Sequence, residues 1–220
     1  MSTTISALRV KASLPGSTVR RMATEATRSP GRPRSPEADT AIVQATLELL
    51  AEVGYRSMTM EQVRSRSGVG KATIYRRYAN KDELVRAAMV HLHHELPIPA
   101  DTGTLRGDLE SVLDAAVGAA VETNAGHVVP RLLGESAHDP ELQRLFYDNL
   151  VAPRRVVIRA VLVRAIERGE LRADLDLDLV MDLLVGSIIY RGLISGMDPV
   201  AMADRAQHVL DVLLTGLTPR

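Results

Sequence analysis

Four residues, Ser67-Gly68-Val69-Gly70, separate two short helical signals, and this separation constrains the fold more than any other stretch of the chain. Ahead of it, Thr59-Met60-Glu61-Gln62-Val63 opens a helix that runs to about Arg66, with Thr59 and Gln62 spaced as a capping box. Behind it, Lys71-Ala72-Thr73-Ile74-Tyr75-Arg76-Arg77-Tyr78 packs basic, hydroxyl and aromatic side chains into about two helical turns. A short helix, a glycine turn and a short polar-basic helix is the sequence form of a helix-turn-helix.

The flanks agree. Ser35-Pro36-Glu37 is a helix start, with serine as N-cap, proline at the first helical position and acid in the first turn. Ile42, Ala45, Leu49, Leu50 and Val53 mark one face of that helix, Gly54 ends it, and Tyr55 packs into the seam below. Asn80-Lys81-Asp82-Glu83 launches an amphipathic helix through Leu84, Val85, Ala88, Met89 and Leu92 to about Leu96, where Pro97 and Pro99 break it. The rest is helical by pattern, with helices expected near 104–124, 127–137, 139–169, 176–196 and 199–216. The expected class is all-α.

Charge divides the chain. Its 220 residues carry no formal net charge, yet residues 1–96 hold 15 Lys+Arg against 9 Asp+Glu and residues 97–220 hold 12 against 18. A basic front and an acidic back suggest that only the front meets a polyanion; the alternative is a chance partition of solvated charge. With no cysteine, disulfide, zinc-thiolate and cysteine-nucleophile chemistry fall away. Apolar runs such as Val156-Val157-Ile158 stop far short of the ~20 residues a membrane span needs. The N-terminal residues hold no continuous apolar segment of the secretory kind. A soluble, cytoplasmic protein with no membrane partner is the expectation.

Residues 1–34 are rich in Ser, Thr, Pro and Arg, with seven basic residues facing one acid, Glu25. Such a segment cannot offset its ordering entropy by burial, so a basic disordered arm is expected. For residues 1–27 a solubilising tail suffices, and Met22 offers a start that keeps the rest of the arm intact. Within Pro30-Gly31-Arg32-Pro33-Arg34, Arg32 and Arg34 are candidates for phosphate or minor-groove contact, because arginine on a thin backbone suits a narrow, strongly negative groove.

The string from Gly68 to Leu84, with Thr73-Ile74-Tyr75, Tyr78 and Lys81-Asp82-Glu83-Leu84 at their spacings, resembles the recognition segment of the TetR family of bacterial transcriptional regulators. The Gly54-Tyr55 corner and the preceding helix fit as well, so the resemblance covers residues 36–96. Two positions depart from the pattern. Gly70 stands where the family usually has a capping serine, which weakens the cap by a few tenths of a kcal/mol. Tyr78 stands where phenylalanine is usual. The run from Arg168-Gly169-Glu170 to Tyr190-Arg191 resembles the C-terminal domain of one branch of the same family.

The resemblance implies a basic arm (1–34), a three-helix DNA-binding domain (35–96) and a helical ligand-binding and dimerisation domain (97–220). It implies a repressor that binds a palindromic double-stranded DNA operator, with half-sites ~34–36 Å apart, as a homodimer. Lys71, Thr73, Arg76 and Arg77 are candidates for base edges or adjacent phosphates, lysine and arginine suiting guanine and threonine a thymine methyl. Thr59, Tyr75, Tyr78 and Lys81 are candidates for positioning on the phosphate backbone, with packing as the alternative role of Tyr75. Dimerisation through the last two helices would use Val180, Leu183, Leu184, Ile188, Val209, Leu213 and Leu214, with Gly186 and Gly192 allowing close approach. A small apolar effector is implied, and Tyr147, Met181, Tyr190 and Arg191 are candidate lining residues. No cofactor, metal or catalytic residue is implied. Alternatives are a regulator without an effector, or a metal-dependent enzyme built on His91, His94 and Glu95, which share a helix face. Asp174-Leu175-Asp176-Leu177-Asp178 lacks the glycine and the terminal glutamate of a calcium loop, and fits a loop and helix cap.

Overall fold

A computed structural model describes residues 36–194 and 199–217. Among these residues the chain forms only helices. Helices α1 (Pro36–Glu52), α2 (Gly54–Ser57), α3 (Met60–Ser67), α4 (Lys71–Arg77) and α5 (Lys81–Glu95) make the head. Helices α6 (Leu105–Glu122), α7 (Ala125–Ser136), α8 (Pro140–Phe146), α9 (Ala152–Glu167), α10 (Leu177–Ile189) and α11 (Pro199–Leu217) make the body. Two π-helical stretches, Tyr147–Val151 and Tyr190–Ile194, continue α8 and α10.

Helix α1 is the post around which the head is built. The expected face is inside, with Ile42, Ala45, Leu49 and Leu50 buried and Val53 partly so, but Leu47 and Thr46 on the other side are buried as well. The reason is that α1 packs against α3 and α5 on one side and against α7 of the body on the other. Thr46 meets its hydrogen-bonding need locally, donating to the Ile42 carbonyl at 2.8 Å. Helices α3 and α4 are too short to own a core, and each buries a single side chain, Val63 and Ile74. The same apolar cluster closes with Val128 and Leu132 of α7 and with Leu142 and Phe146 of α8. A second cluster gathers Leu109 and Leu113 of α6, Val161 and Leu162 of α9, Val180, Met181 and Leu184 of α10, and Leu210 of α11. Burying each such side chain contributes roughly 1.5–3 kcal/mol.

The backbone departs from the expected elements in three places, one being the π stretch Tyr190–Ile194 inside the helix expected over 176–196. Gly54 ends α1 in the left-handed region, at φ 80°, but the chain at once makes one more helical turn, α2. The long helix expected over 139–169 is interrupted by the π stretch at Tyr147–Val151. Pro153 has no N–H for the carbonyl four residues back, so a regular ladder cannot run through Asn149, and the π turn absorbs the break.

The segment between α5 and α6 is tied down by charge. Asp108 is fully buried. Its carboxylate accepts from the Thr102 N–H at 2.7 Å, from the Thr102 hydroxyl at 2.9 Å and from Arg168 Nη2 at 3.0 Å. Burial pushes the Asp108 pKa up, but the Thr102 bonds and the Arg168 guanidinium outweigh it and leave the group below the usual carboxylate range. Glu170 accepts from the Leu105 N–H at 2.5 Å and also pairs with Arg168. Asp176 caps α10 through the Asp178 and Leu179 N–H groups, the cap role expected of this aspartate run.

Candidate nucleic-acid interface

Helix α3 begins with a complete capping box. Thr59 Oγ1 accepts from the Gln62 N–H at 3.2 Å, and the Thr59 N–H donates to Gln62 Oε1 at 2.8 Å. It ends at Gly68, whose φ of 66° lies where other residues are strained. Gly70 then starts α4 with an extended backbone and no side-chain cap. The turn is held instead by the Gly70 carbonyl, which accepts from the Thr73 N–H at 2.9 Å and the Ile74 N–H at 3.2 Å.

Ile74, fully buried, decides which side of α4 faces out. Lys71, Tyr75 and Arg76 are exposed and Thr73 is half-buried. Lys71 Nζ lies 5.8 Å from the centre of the Tyr75 ring, and neither Lys71 nor Arg76 has an acid within ion-pair distance among the described residues. Arg77 differs. Its side chain is only 9% exposed and pairs with Asp39 of α1. Tyr78 is half-buried beside it, and burial, then Asp39, push its phenol pKa up. The structure therefore brings Lys71, Thr73, Tyr75 and Arg76 onto one outward side and turns Arg77 and Tyr78 toward α1. The sequence held a signal for this: Arg77 and Tyr78 stand three and four residues after Ile74, on the inward face of the helix.

Lys81 is also engaged. Its Nζ donates to the Tyr55 carbonyl at 3.0 Å and sits 4.1 Å from the Tyr55 ring centre. The Tyr55 hydroxyl donates to Asp82 Oδ1 at 2.5 Å; burial and this bond raise its pKa above the ordinary phenol range. Tyr55 thus locks α2 to the start of α5, whose Asn80 cap accepts from the Glu83 N–H at 3.0 Å while Glu83 accepts from the Ala79 N–H at 2.7 Å. Arg32 and Arg34 lie outside the described residues.

The body grips the head through α7. Arg131 Nη1 donates to the Ala51 and Glu52 carbonyls at 3.1 and 3.0 Å, answering the end of α1. Glu135 accepts from the Arg56 N–H at 2.9 Å. Gly54 lies under this pair, and a Cβ there would collide with Glu135 Oε1. Sequence reasoning missed Arg131 and Glu135, because an i, i+4 pair on an amphipathic helix carries no trace of the distant backbone it serves.

The four candidate lining residues stand in different settings. Met181 is in the second core, Tyr147 and Tyr190 are about half exposed, and Arg191 borders a groove of about 390 Å³ between α10 and α11 with Leu183, His208 and Val212. His91 Nε2 pairs with Glu95 at 3.0 Å, and among the described residues no three His, Cys, Asp or Glu side chains converge as metal ligands would. No helix among the described residues is long and apolar enough to cross a membrane.

Comparison with known proteins adds to this geometry. Residues 42–88 match the family model described as bacterial regulatory proteins, tetR family, and residues 99–213 match the tetracyclin repressor-like, C-terminal domain. The HTH-type transcriptional regulator YdeS of Bacillus subtilis is 32% identical over 169 residues, covering 76% of this chain and 83% of YdeS. The DNA-binding transcriptional repressor TetR of Mycobacteroides abscessus is 30% identical over 187 residues, 84% of this chain and 97% of that one. Among solved structures, the TetR family transcription regulator SCO0332 superposes with a TM-score of 0.64 at 28% identity, over 83% of this chain and 100% of the other. Matched in head and in body, and carrying α4 with Lys71 and Arg76 facing out, this chain belongs to the TetR family of bacterial DNA-binding transcriptional regulators.

Proposed function

We propose that the chain is a ligand-responsive repressor that binds a near-palindromic operator as a homodimer in the cytoplasm. The observation that carries the reading is the outward side of α4, where Lys71 and Arg76 stand exposed with no acid within ion-pair distance among the described residues, while Arg77 is spent on Asp39. Lys71, Thr73 and Arg76 read base edges or adjacent phosphates, Tyr75 meets the backbone, and Arg32 and Arg34 add contacts from the arm. Arg77, Tyr78, Thr59 and Lys81 then serve by holding α4 at its angle. Residues 35–96 read DNA, and residues 97–220 sense and dimerise.

The dimer face has support in α10, where Leu179, Leu183, Gly186 and Tyr190 follow one helical stripe and the three side chains are about half exposed, beside the exposed Val212 of α11. Of the residues expected there, Val180, Leu184 and Leu214 are monomer core, because they face α6 and α9. The Arg131–Glu135 grip supports responsiveness. A ligand that favours one placement of α7 shifts the population of head orientations, and coupling of about 1–3 kcal/mol changes DNA affinity five- to 150-fold.

The test is selection of bound genomic fragments with the wild-type chain and with a Lys71→Ala/Arg76→Ala double variant. The wild type should enrich an inverted repeat; the variant should remain dimeric and lose about 1–3 kcal/mol for each base contact removed. The same operator enriched equally by both proteins would sink the proposed role of α4.

A further inference from the structure

Helix α9 carries four arginines, and three of them face acids. Arg155 pairs with Asp178 and Asp182, Arg159 pairs with Asp178, and Arg164 lies 3.7 Å from both Asp101 and Asp108. Arg154 has no acid within ion-pair distance among the described residues. Its Nη1 donates to the Pro97 carbonyl at 3.1 Å, and its Nη2 is buried without an acceptor. In the last turn of α5, four residues before Pro97, His93 Nδ1 is also buried without a partner. The two share one electrostatic neighbourhood: burial, then His94, then the Arg154 charge hold the His93 pKa below its ordinary value. Burial lowers the Arg154 pKa too.

A guanidinium does not shed its proton in a protein, so Arg154 cannot escape burial by becoming neutral. Arg154 is half-buried, and its inner Nη2, turned from solvent with no acceptor, is costly to leave without a counter-charge. Two unpartnered nitrogens from different helices, one of them a guanidinium's, suit a negatively charged group. Ile98 stands one residue beyond Pro97 and is 86% exposed, an apolar surface next to this charge.

We propose that the α5–α9 junction binds an anionic head group, carboxylate or phosphate, between Arg154 Nη2 and His93 Nδ1. The proposal rests on the effector-responsive reading above and gives the effector its chemistry: an acid, with Ile98 beside it for an apolar tail. Because α5 belongs to the head and α9 to the body, an anion bridging them acts on the placement of one against the other.

The test is thermal unfolding of the full chain with sodium acetate, inorganic phosphate, sodium decanoate, decyl phosphate or decanol, for the wild type, Arg154→Met and Arg154→Lys. Expected is a rise of several degrees in the wild-type midpoint with an anion and none with decanol. Arg154→Lys, which keeps the charge without the fork, should respond less. Arg154→Met should not respond, and its ligand-free midpoint should exceed that of the wild type, since an unanswered charge has gone. A larger effect of decanoate or decyl phosphate than of acetate or inorganic phosphate identifies an amphiphile; equal effects identify the head group alone, and both support the site. No response to any anion, an equal response to decanol, or a full response by Arg154→Met overturns it. So does a lower ligand-free midpoint for Arg154→Met, the mark of a plain tether to Pro97. Binding of the genomically selected duplex, measured on the same samples, separates the two claims: a wild type that binds no duplex sinks the regulator reading, whereas duplex binding without any anion response sinks this site alone.

Discussion

Helices α3 and α4 flank one turn and are fixed by opposite means. Helix α3, eight residues long, is fixed largely by its own polar groups, with a reciprocal cap at Thr59 and Gln62, a left-handed glycine at its end, an Arg64–Glu61 pair along its surface and a two-pronged Arg66–Glu52 bridge to α1. That bridge also holds the Glu52 carboxyl below its usual range. Helix α4 has seven residues, no side-chain cap and one buried side chain. Isolated helices shorter than ~12–15 residues are marginal in water, so α4 exists because Ile74 and Arg77 anchor it. The difference explains how a short helix keeps an outward side free: its stability comes from residues that face inward.

The sharpest way to break the comparison is Ile74→Ala. It should cost about 2–5 kcal/mol in urea unfolding, since no other apolar side chain of α4 is buried; a loss below about 1 kcal/mol would mean that α4 stands by itself. Next comes Arg77→Ala, which removes a largely buried side chain and its pair with Asp39 and should cost about 1–3 kcal/mol by calorimetry. Arg76→Ala, one residue away, should change stability by less than about 0.5 kcal/mol; equal costs for the two arginines would erase the distinction between the sides of α4. Thr59→Ala removes the α3 cap and should cost about 1 kcal/mol. The smallest effect is a gain. Gly70→Ser restores a capping hydroxyl where a Cβ meets nothing within 4 Å and φ is −60°, so the midpoint should rise by a few tenths of a kcal/mol. No gain would show that the Gly70 carbonyl bonds already suffice.

Much of the head was legible because its signals are local. Thr59 with Gln62, Gly68, and Asn80 with Glu83 each announce their element within four residues, and the structure uses each as the spacing suggests. What resisted reading depends on neighbours far along the chain. The inward turn of Arg77 needs Asp39, 38 positions earlier, and was legible only once Ile74 was taken as the anchor. The π stretch at Tyr147–Val151 was foreshadowed by Pro153 but obscured by an unbroken apolar periodicity. In α10 the pattern marks apolar positions without saying which side meets α9, so Val180 and Leu184 could not be told from Leu179 and Leu183. The candidate lining residues were chosen for their chemistry alone, and chemistry does not say that Met181 and Tyr190 point to different places.

One consequence concerns exchange of parts. The first core is completed by Val128, Leu132, Leu142 and Phe146, and Gly54 is shaped to receive Glu135. A chimera that joins residues 36–96 to a foreign body would strip the far side of α1 of its packing and leave the Ala51 and Glu52 carbonyls unanswered. The transplantable unit is 36–151. Anyone who wires this head to a new sensor must carry α7 and α8 with it, or rebuild their inner faces in the recipient.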